Sequence, residues 1–310
     1  MNGASSKPRI IAIIGPTASG KTALGMTLAQ EFGGEIVSAD SRQIYRGMDI
    51  GTAKPTAGEQ RAIPHHLIDI KDPSEDYTVA EYQRDAVRAI KDILNRGKLP
   101  ILAGGTGLYL RAVLSNLAIP EATADPALRA KLEQEIAESG IAGVFGQLVA
   151  LDPEAEYTVD ARNPRRVIRA LEVALATGEP FTAQRKKNEP LFDALALGIR
   201  TQNDALRERI NARADQMVAH GLIEEVRGLI EKYGTGVPAL DAIGYREIIQ
   251  YLENKISLVR AVALIKTDTW HYAKRQMTWF KKEEGVRWIT GQMEASGLAA
   301  TFLDKNSGRP

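Results

Sequence analysis

Ile10-Ile11-Ala12-Ile13-Ile14-Gly15-Pro16-Thr17-Ala18-Ser19-Gly20-Lys21-Thr22 changes character twice. Ile10–Ile14 is an apolar, β-branched run with no polar residue, which reads as a parallel strand buried on both faces. From Lys21 to Phe32 the residues follow a helical pattern, closed by Gly33-Gly34. Between strand and helix, Gly15–Thr22 fits G-x-x-x-x-G-K-[ST] in full. Each part has a physical task. The glycines let backbone N–H groups turn inward around phosphate oxygens, and the new helix aims its positive end at them. Lys21 adds a point charge, and Thr22 offers a hydroxyl to a Mg²⁺ that bridges the phosphates. A chance glycine turn is the bland alternative. Strand, loop and helix nevertheless fall in the order a polyphosphate site demands, although the polyphosphate need not be a nucleotide.

Outward from this stretch, strand and helix signals alternate. Glu35–Ala39 reads as a second strand, and the apolar patch Leu67–Ile70 is a short candidate for a third. Thr78-Val79-Ala80-Glu81 has the spacing of a capping box and opens a helix to about Asn95. Pro100–Ala103 is a further buried strand, stopped by Gly104-Gly105. Beyond Leu117 the pattern turns helical, over Ala127–Ala150 and Asn163–Ala176, the latter opened by a capping Asn163 and a first-turn Pro164. A strand-like run returns at Leu195–Ile199, followed by helices at Asp204–His220 and Leu222–Lys232. The C-terminal part is expected to be helical to Glu284, with a loose tail after Ala300. The fold class expected is α/β, a P-loop NTPase-like parallel sheet core formed by residues 1–117 and 192–310 with C-terminal helices. A helical insertion domain at 118–191 interrupts it.

Composition narrows the function. The net charge of +1 over 310 residues excludes a strongly basic nucleic-acid binder on overall balance, but not a local basic patch. Arg162, Arg165, Arg166, Arg169, Arg185, Lys186 and Lys187 make such a patch in the insertion. With no cysteine there are no disulfides, no thiolate catalysis and no cysteine-type zinc site. Met1–Arg9 is too short and polar for a signal-peptide core, and no stretch approaches a membrane span. A cytoplasmic, monomeric protein is expected.

Asp40 falls at the carboxyl end of the second strand, the edge where open α/β sheets form their ligand crevice. A carboxylate there either accepts a proton from a nucleophile or simply caps the next turn. The strand Pro100–Ala103 runs into Gly104-Gly105-Thr106-Gly107 and lacks the terminal aspartate with which nucleotide hydrolases hold Mg²⁺. His65-His66 on one strand would point to opposite faces, which disfavours a shared metal. Late in the chain, Trp270, Ala273, Met277 and Phe280 form a core-like helical stripe, with His271, Arg275, Thr278 and Lys282 along a neighbouring polar one.

Taken together, several blocks resemble the tRNA dimethylallyltransferases, bacterial type. They are Gly15–Thr22, Asp40-Ser41 with Ile44-Tyr45, Gly47–Pro55, Gly104–Tyr109, Arg166–Val173, Ile243-Gly244-Tyr245 and Ala273–Trp279, spread in order over most of the chain. The resemblance implies transfer of a dimethylallyl group from dimethylallyl diphosphate to N6 of the adenosine just 3′ of the tRNA anticodon. It implies that the loop Gly15–Thr22 holds the donor diphosphate with Mg²⁺, Thr22 being the metal-side residue. Asp40 would be the base, Thr106 would line the reaction channel, and Arg213, with Arg209 as second choice, would neutralise pyrophosphate. Asp40, Ser41, Arg42, Gln43, the turn Arg165, Arg166, Val167, Ile168 and Arg169, and Arg275 would touch the anticodon stem-loop. Family members often carry glutamine where this chain has Arg165, so that contact would be ionic here. Three alternatives keep the phosphate loop. They are an adenylate isopentenyltransferase acting on free AMP or ADP, a small-molecule kinase, and a non-catalytic nucleotide switch or RNA-binding module.

Overall fold

The computed structural model describes residues 7–119, 125–184 and 188–304. Six strands, β1 (Arg9–Ile14), β2 (Gly34–Ser38), β3 (His65–His66), β4 (Leu99–Gly104), β5 (Asp193–Ile199) and β6 (Arg287–Ile289), form one parallel sheet. Their spatial order is β3-β2-β4-β1-β5-β6. The central β1 pairs on both sides, Ile11 lying opposite Ile101 and Leu195.

Before residue 115 come helices α1 (Lys21–Phe32), α2 (Ala57–Ala62), α3 (Val79–Asn95) and α4 (Gly107–Leu114). Then follow α5 (Pro126–Ser139), α6 (Ile141–Leu151), α7 (Ala155–Thr158), α8 (Pro164–Thr177) and α9 (Phe181–Gln184). After β5 come α10 (Asn203–Ala219), α11 (Leu222–Tyr233), α12 (Tyr245–Leu252), α13 (Leu258–Phe280) and α14 (Gln292–Asp304). The chain divides into two compact units, residues 1–114 with 190–310, and residues 115–189.

The composition of β1 follows from its place. Side chains alternate along a strand. Ile10, Ala12 and Ile14 therefore enter one core, with Tyr82 and Ile90 of α3 and Tyr109 of α4. Ile11 and Ile13 enter the opposite core, with Leu24 and Leu28 of α1 and Ala295 and Ala299 of α14. Both faces are covered, so no position in the run tolerates a polar residue. The α3 capping box forms as spaced: Thr78 Oγ1 accepts from Glu81 N, and the Glu81 carboxylate accepts from Thr78 N. A third core joins α11, α12 and α13 to Ile44, Tyr45 and Met48 of the segment after β2.

Four details differ from the sequence reading. The third strand is His65–His66, pairing with Ile36 and Val37, and not Leu67–Ile70. Leu67 and Asp69 have φ values of 62° and 55°, which break extension. The helical stretch expected over Ala127–Ala150 is two helices, parted at Gly140, where φ is 81°. Beyond the helical part, whose last helix α13 ends at Phe280, Arg287–Ile289 adds β6 beside β5, a strand the sequence reading did not include. Residues after Ala300 continue α14 to Asp304, anchored by buried Ala295 and Ala299. No helix among the described residues is long and apolar enough to cross a membrane.

The 115–189 unit has its own core, built from Leu132, Val144, Leu148, Val167, Ile168 and Leu171. Asn163 caps α8 by accepting from Arg166 N at 3.3 Å, with Pro164 in its first turn. Buried Glu172 receives Arg129 through two hydrogen bonds of 2.8 and 2.7 Å.

Candidate active site

The loop after β1 carries the first cleft, of about 330 Å³. Ala18 and Gly20 both have positive φ, 60° and 95°, which turns the loop sharply into α1. Thr17, Ala18, Gly20, Lys21 and Thr22 line the cleft. Gly15, Pro16 and Ser19 do not; they are buried and form the frame behind it. Lys21 Nζ donates to Pro16 O at 2.7 Å. Burial pulls its pKa down to about 8; nearby Asp40 opposes that and nearby Arg213 adds to it. The cleft thus presents a half-buried cation at a helix N-terminus, with Asp40 as its nearby countercharge.

Asp40 follows β2, whose end is fixed by Ala39 N donating to Ala103 O at 2.8 Å. The approach of Ala39 to β4 is so close that a Cβ on Gly104 would collide with the Ala39 carbonyl. Asp40 Oδ1 accepts from Arg42 N at 2.9 Å and Gln43 N at 3.4 Å. Asp40 therefore caps the turn, as one of its two readings had it, and also lines the cleft. Among the described residues no hydrogen bond reaches Oδ2. Gln43 ties the turn to its surroundings: its Oε1 accepts from Ser38 Oγ, and its Nε2 donates to Thr52 O and Ala53 O.

A second hollow of about 330 Å³ adjoins the first. Thr17, Asp40, Thr52, Arg213 and Tyr272 line both. Its further walls mix apolar Ile210, Met217 and Ile265 with Ser41, Arg42 and Arg275. Asp40 stands where the cationic cleft meets this partly apolar one. Arg213, half-buried between the two, has its pKa lowered by burial against the opposing pull of Asp40. Burial likewise pushes the Tyr272 hydroxyl up to about 12, so it remains a proton donor near neutrality.

Residues 47–55, rich in glycine and polar groups, form a wall held by groups far along the chain. Glu225 on α11 accepts from the backbone N–H groups of Asp49, Ile50 and Gly51 at 3.1, 2.7 and 3.1 Å, and from Tyr245 Oη at 2.6 Å. Tyr245 lies so close to Gly51 that any side chain there would strike its ring. Lys54, 3 % exposed, donates to Tyr45 O and pairs with Asp49 and Asp69. Glu225 lies in a segment without a motif, and Lys54 and Asp49 were read only as part of the block Gly47–Pro55, so neither the carboxylate's role nor the Lys54 pairing was singled out from the sequence.

Several expected site residues stand apart. Thr106 lines neither hollow; its Oγ1 accepts from Ser41 N at 3.0 Å and donates to Ser41 Oγ at 3.3 Å, behind the wall. Arg209 is exposed and lines a separate hollow on the outer side of the loop, with Ser19 and Gly20. Val167 and Ile168, 0 % and 4 % exposed, are core residues of the 115–189 unit. Their side chains cannot meet RNA, which corrects the expectation for that turn. Arg165 and Arg166 are exposed, while Arg169 is half-buried and pairs with Glu172 at 3.8 Å. Arg185, Lys186 and Lys187 lie outside the described residues. Arg275, by contrast, walls the second hollow and is also exposed on α13, beside His271, Lys274 and Thr278. His65 and His66 take separate partners, Ile63 O at 2.8 Å and Glu35 at 2.7 Å.

A loop of the pattern G-x-x-x-x-G-K-[ST] after a central strand, with a carboxylate at the end of β2, defines an α/β protein of the P-loop-like class with a cleft at its sheet edge. The match to the IPP transferase family covers residues 43–283. The chain belongs to that family. It is 48 % identical over 298 residues to the tRNA dimethylallyltransferase of Roseiflexus sp. (strain RS-1), covering 95 % of this chain and 97 % of that one. It is 49 % identical over 280 residues to that of Thermomicrobium roseum, covering 90 % and 85 %. Among solved structures it resembles the full-length tRNA isopentenylpyrophosphate transferase of Bacillus halodurans, with TM-score 0.73 and 40 % identity over 97 % of this chain and 98 % of that one. A eukaryotic dimethylallyltransferase described as acting on tRNA aligns with TM-score 0.82 and 29 % identity, over 98 % of this chain and 80 % of that one.

Proposed function

We propose that this chain transfers the dimethylallyl group of dimethylallyl diphosphate to N6 of the adenosine 3′-adjacent to the anticodon in tRNA, giving N6-isopentenyladenosine and diphosphate. The observation that carries this reading is the position of Asp40, at the junction of a cationic cleft and a partly apolar one. Relatives named tRNA dimethylallyltransferase, matched over nearly the whole chain, support the same acceptor.

In this reading the donor's diphosphate lies in the first cleft, against the loop amides, Lys21 and Arg213. Its allylic C1 points to the junction. The adenine amine attacks C1, the C1–O bond breaks, and its electron pair leaves on the diphosphate. Asp40 takes the proton released from N6. Lys21 and Arg213 meet the leaving group's growing charge in a site where burial makes their fields effective. Tyr272 and Arg42 wall the acceptor side. An exocyclic amine is a weak nucleophile, so placement contributes more than basicity. The base must also leave its stack in the anticodon loop to reach the junction.

Mg²⁺ fits the residues present. Thr22 offers an exposed hydroxyl oxygen inside the first cleft, and no cluster of three acidic or histidine side chains occurs among the described residues. That donor set suits an ion carried largely by substrate phosphates and water, with Thr22 as its protein ligand. When bound, it would add positive charge across the diphosphate oxygens. Exposed Arg165 and Arg166 in the 115–189 unit, and exposed Arg275 on α13, would meet RNA phosphates. Work on tRNA fits a cytoplasmic site of action.

The test is incubation with labelled dimethylallyl diphosphate, Mg²⁺ and unmodified tRNA, with AMP and ATP as parallel acceptors. Label in tRNA alone is the expected outcome. Label in the free nucleotide would make the chain an adenylate isopentenyltransferase. ATP consumption without prenyl transfer would make it a kinase.

A further inference from the structure

We infer that Gln276 is a positioning residue for the phosphate-binding loop, setting the loop's distance from the strand edge that carries Thr106. This rests on the reading that the loop holds the donor's diphosphate. Gln276 sits on α13, is 6 % exposed, and belongs to the otherwise apolar inner side that includes Ala273 and Phe280. Its side-chain amide uses both ends. Oε1 accepts from Thr17 N at 2.8 Å, and Nε2 donates to Gly105 O at 2.9 Å. Thr17 lines both hollows, Gly105 and Gln276 line the first, and Gly105 immediately precedes Thr106, whose hydroxyl holds Ser41. One side chain thus bridges the ends of β1 and β4 from a helix more than 150 residues further on. Tyr272, one turn earlier on α13, lines both hollows.

An amide meets both needs whatever the pH, because it places one acceptor and one donor on a single planar end, whereas an ionised carboxylate only accepts. A methionine would leave the part-buried Thr17 N–H and the buried Gly105 carbonyl without their partner, and a buried group of that kind is costly to orphan. A glutamate would keep the acceptor and lose the donor. The partner position is equally constrained, since a Cβ on Gly105 would stand 2.5 Å from Gln276 Nε2. Gly105→Ala therefore displaces the same amide without altering Gln276.

The experiment uses the full chain with Gln276→Met, Gln276→Glu and Gly105→Ala, and reads inhibition by inorganic pyrophosphate, donor KM, tRNA affinity and melting temperature. Pyrophosphate occupies the diphosphate cleft without the prenyl chain or tRNA. Each folded variant is expected to weaken pyrophosphate inhibition and raise donor KM about tenfold, with tRNA affinity changed less than about twofold. A lowered melting temperature with pyrophosphate inhibition unmoved would reduce Gln276 to a core residue and overturn the inference. So would an effect confined to the Gln276 variants. Absence of pyrophosphate inhibition in the unsubstituted chain would instead remove the diphosphate reading on which the inference stands.

Discussion

The cleft at the sheet edge and the arginines of the 115–189 unit use the same cationic chemistry in opposite solvents. Lys21 and Arg213 are half-buried, and burial lowers the pKa of both. Arg165 and Arg166 stand in water. A cation withdrawn from solvent acts strongly on one bound anion, whereas exposed cations contribute to a field that salt screens within about 8–10 Å. The first arrangement suits a reaction centre and the second suits affinity for a polyanion.

Substitutions that remove one side of this contrast should leave the other intact. The largest effect is expected from Asp40→Ala: turnover falls about 10²–10⁴-fold, with tRNA affinity within a few-fold. Lost tRNA binding with normal turnover would refute the base assignment. Lys21→Met is expected to raise donor KM roughly tenfold to a hundredfold, as loss of a charge-assisted contact does. Donor KM measured alongside tRNA affinity separates that from a general defect.

The pH dependence sharpens the comparison next. With Lys21 near 8 in the free protein, the ammonium is present below that pH and lost above it. An anion binds the protonated form, so donor KM should be flat below pH 8 and rise about tenfold per pH unit above it. A flat profile to pH 9.5 would refute the lowered pKa, and a flat profile together with an unchanged donor KM in Lys21→Met would remove Lys21 from the binding step. Smallest is Arg166→Ala, expected to weaken tRNA binding several-fold and reduce its salt slope by about one. An unchanged slope would show that Arg166 meets no phosphate. Arg169→Ala should affect tRNA less, because that guanidinium already pairs with Glu172.

The strand, loop and helix around Gly15–Thr22 were legible because each depends on residues within a few positions. The capping box at Thr78 was legible for the same reason, and an equivalent one at Thr56 and Glu59, opening α2, passed unread. Strands β3 and β6, of two and three residues, are too short for any period to register. Arg209 and Arg213 lie one turn apart on α10, and helical spacing cannot say which of them enters the cleft. Val167 and Ile168 looked like part of a basic turn, although their helix points them into a core. A glutamine between Ala273 and Phe280 was a visible signal, a polar side chain among apolar neighbours, but its partners were not visible.

The sequence by itself determined the sheet class, the phosphate loop and the carboxylate after β2, since local backbone geometry and residue type dictate these. Tertiary structure alone decided that Asp40, Arg213 and Tyr272 border the same two hollows, that Glu225 holds the 49–51 backbone and that Gln276 reaches Thr17. These contacts join positions as far as 259 residues apart. They follow from how helices pack across a sheet edge, which no periodicity along the chain encodes.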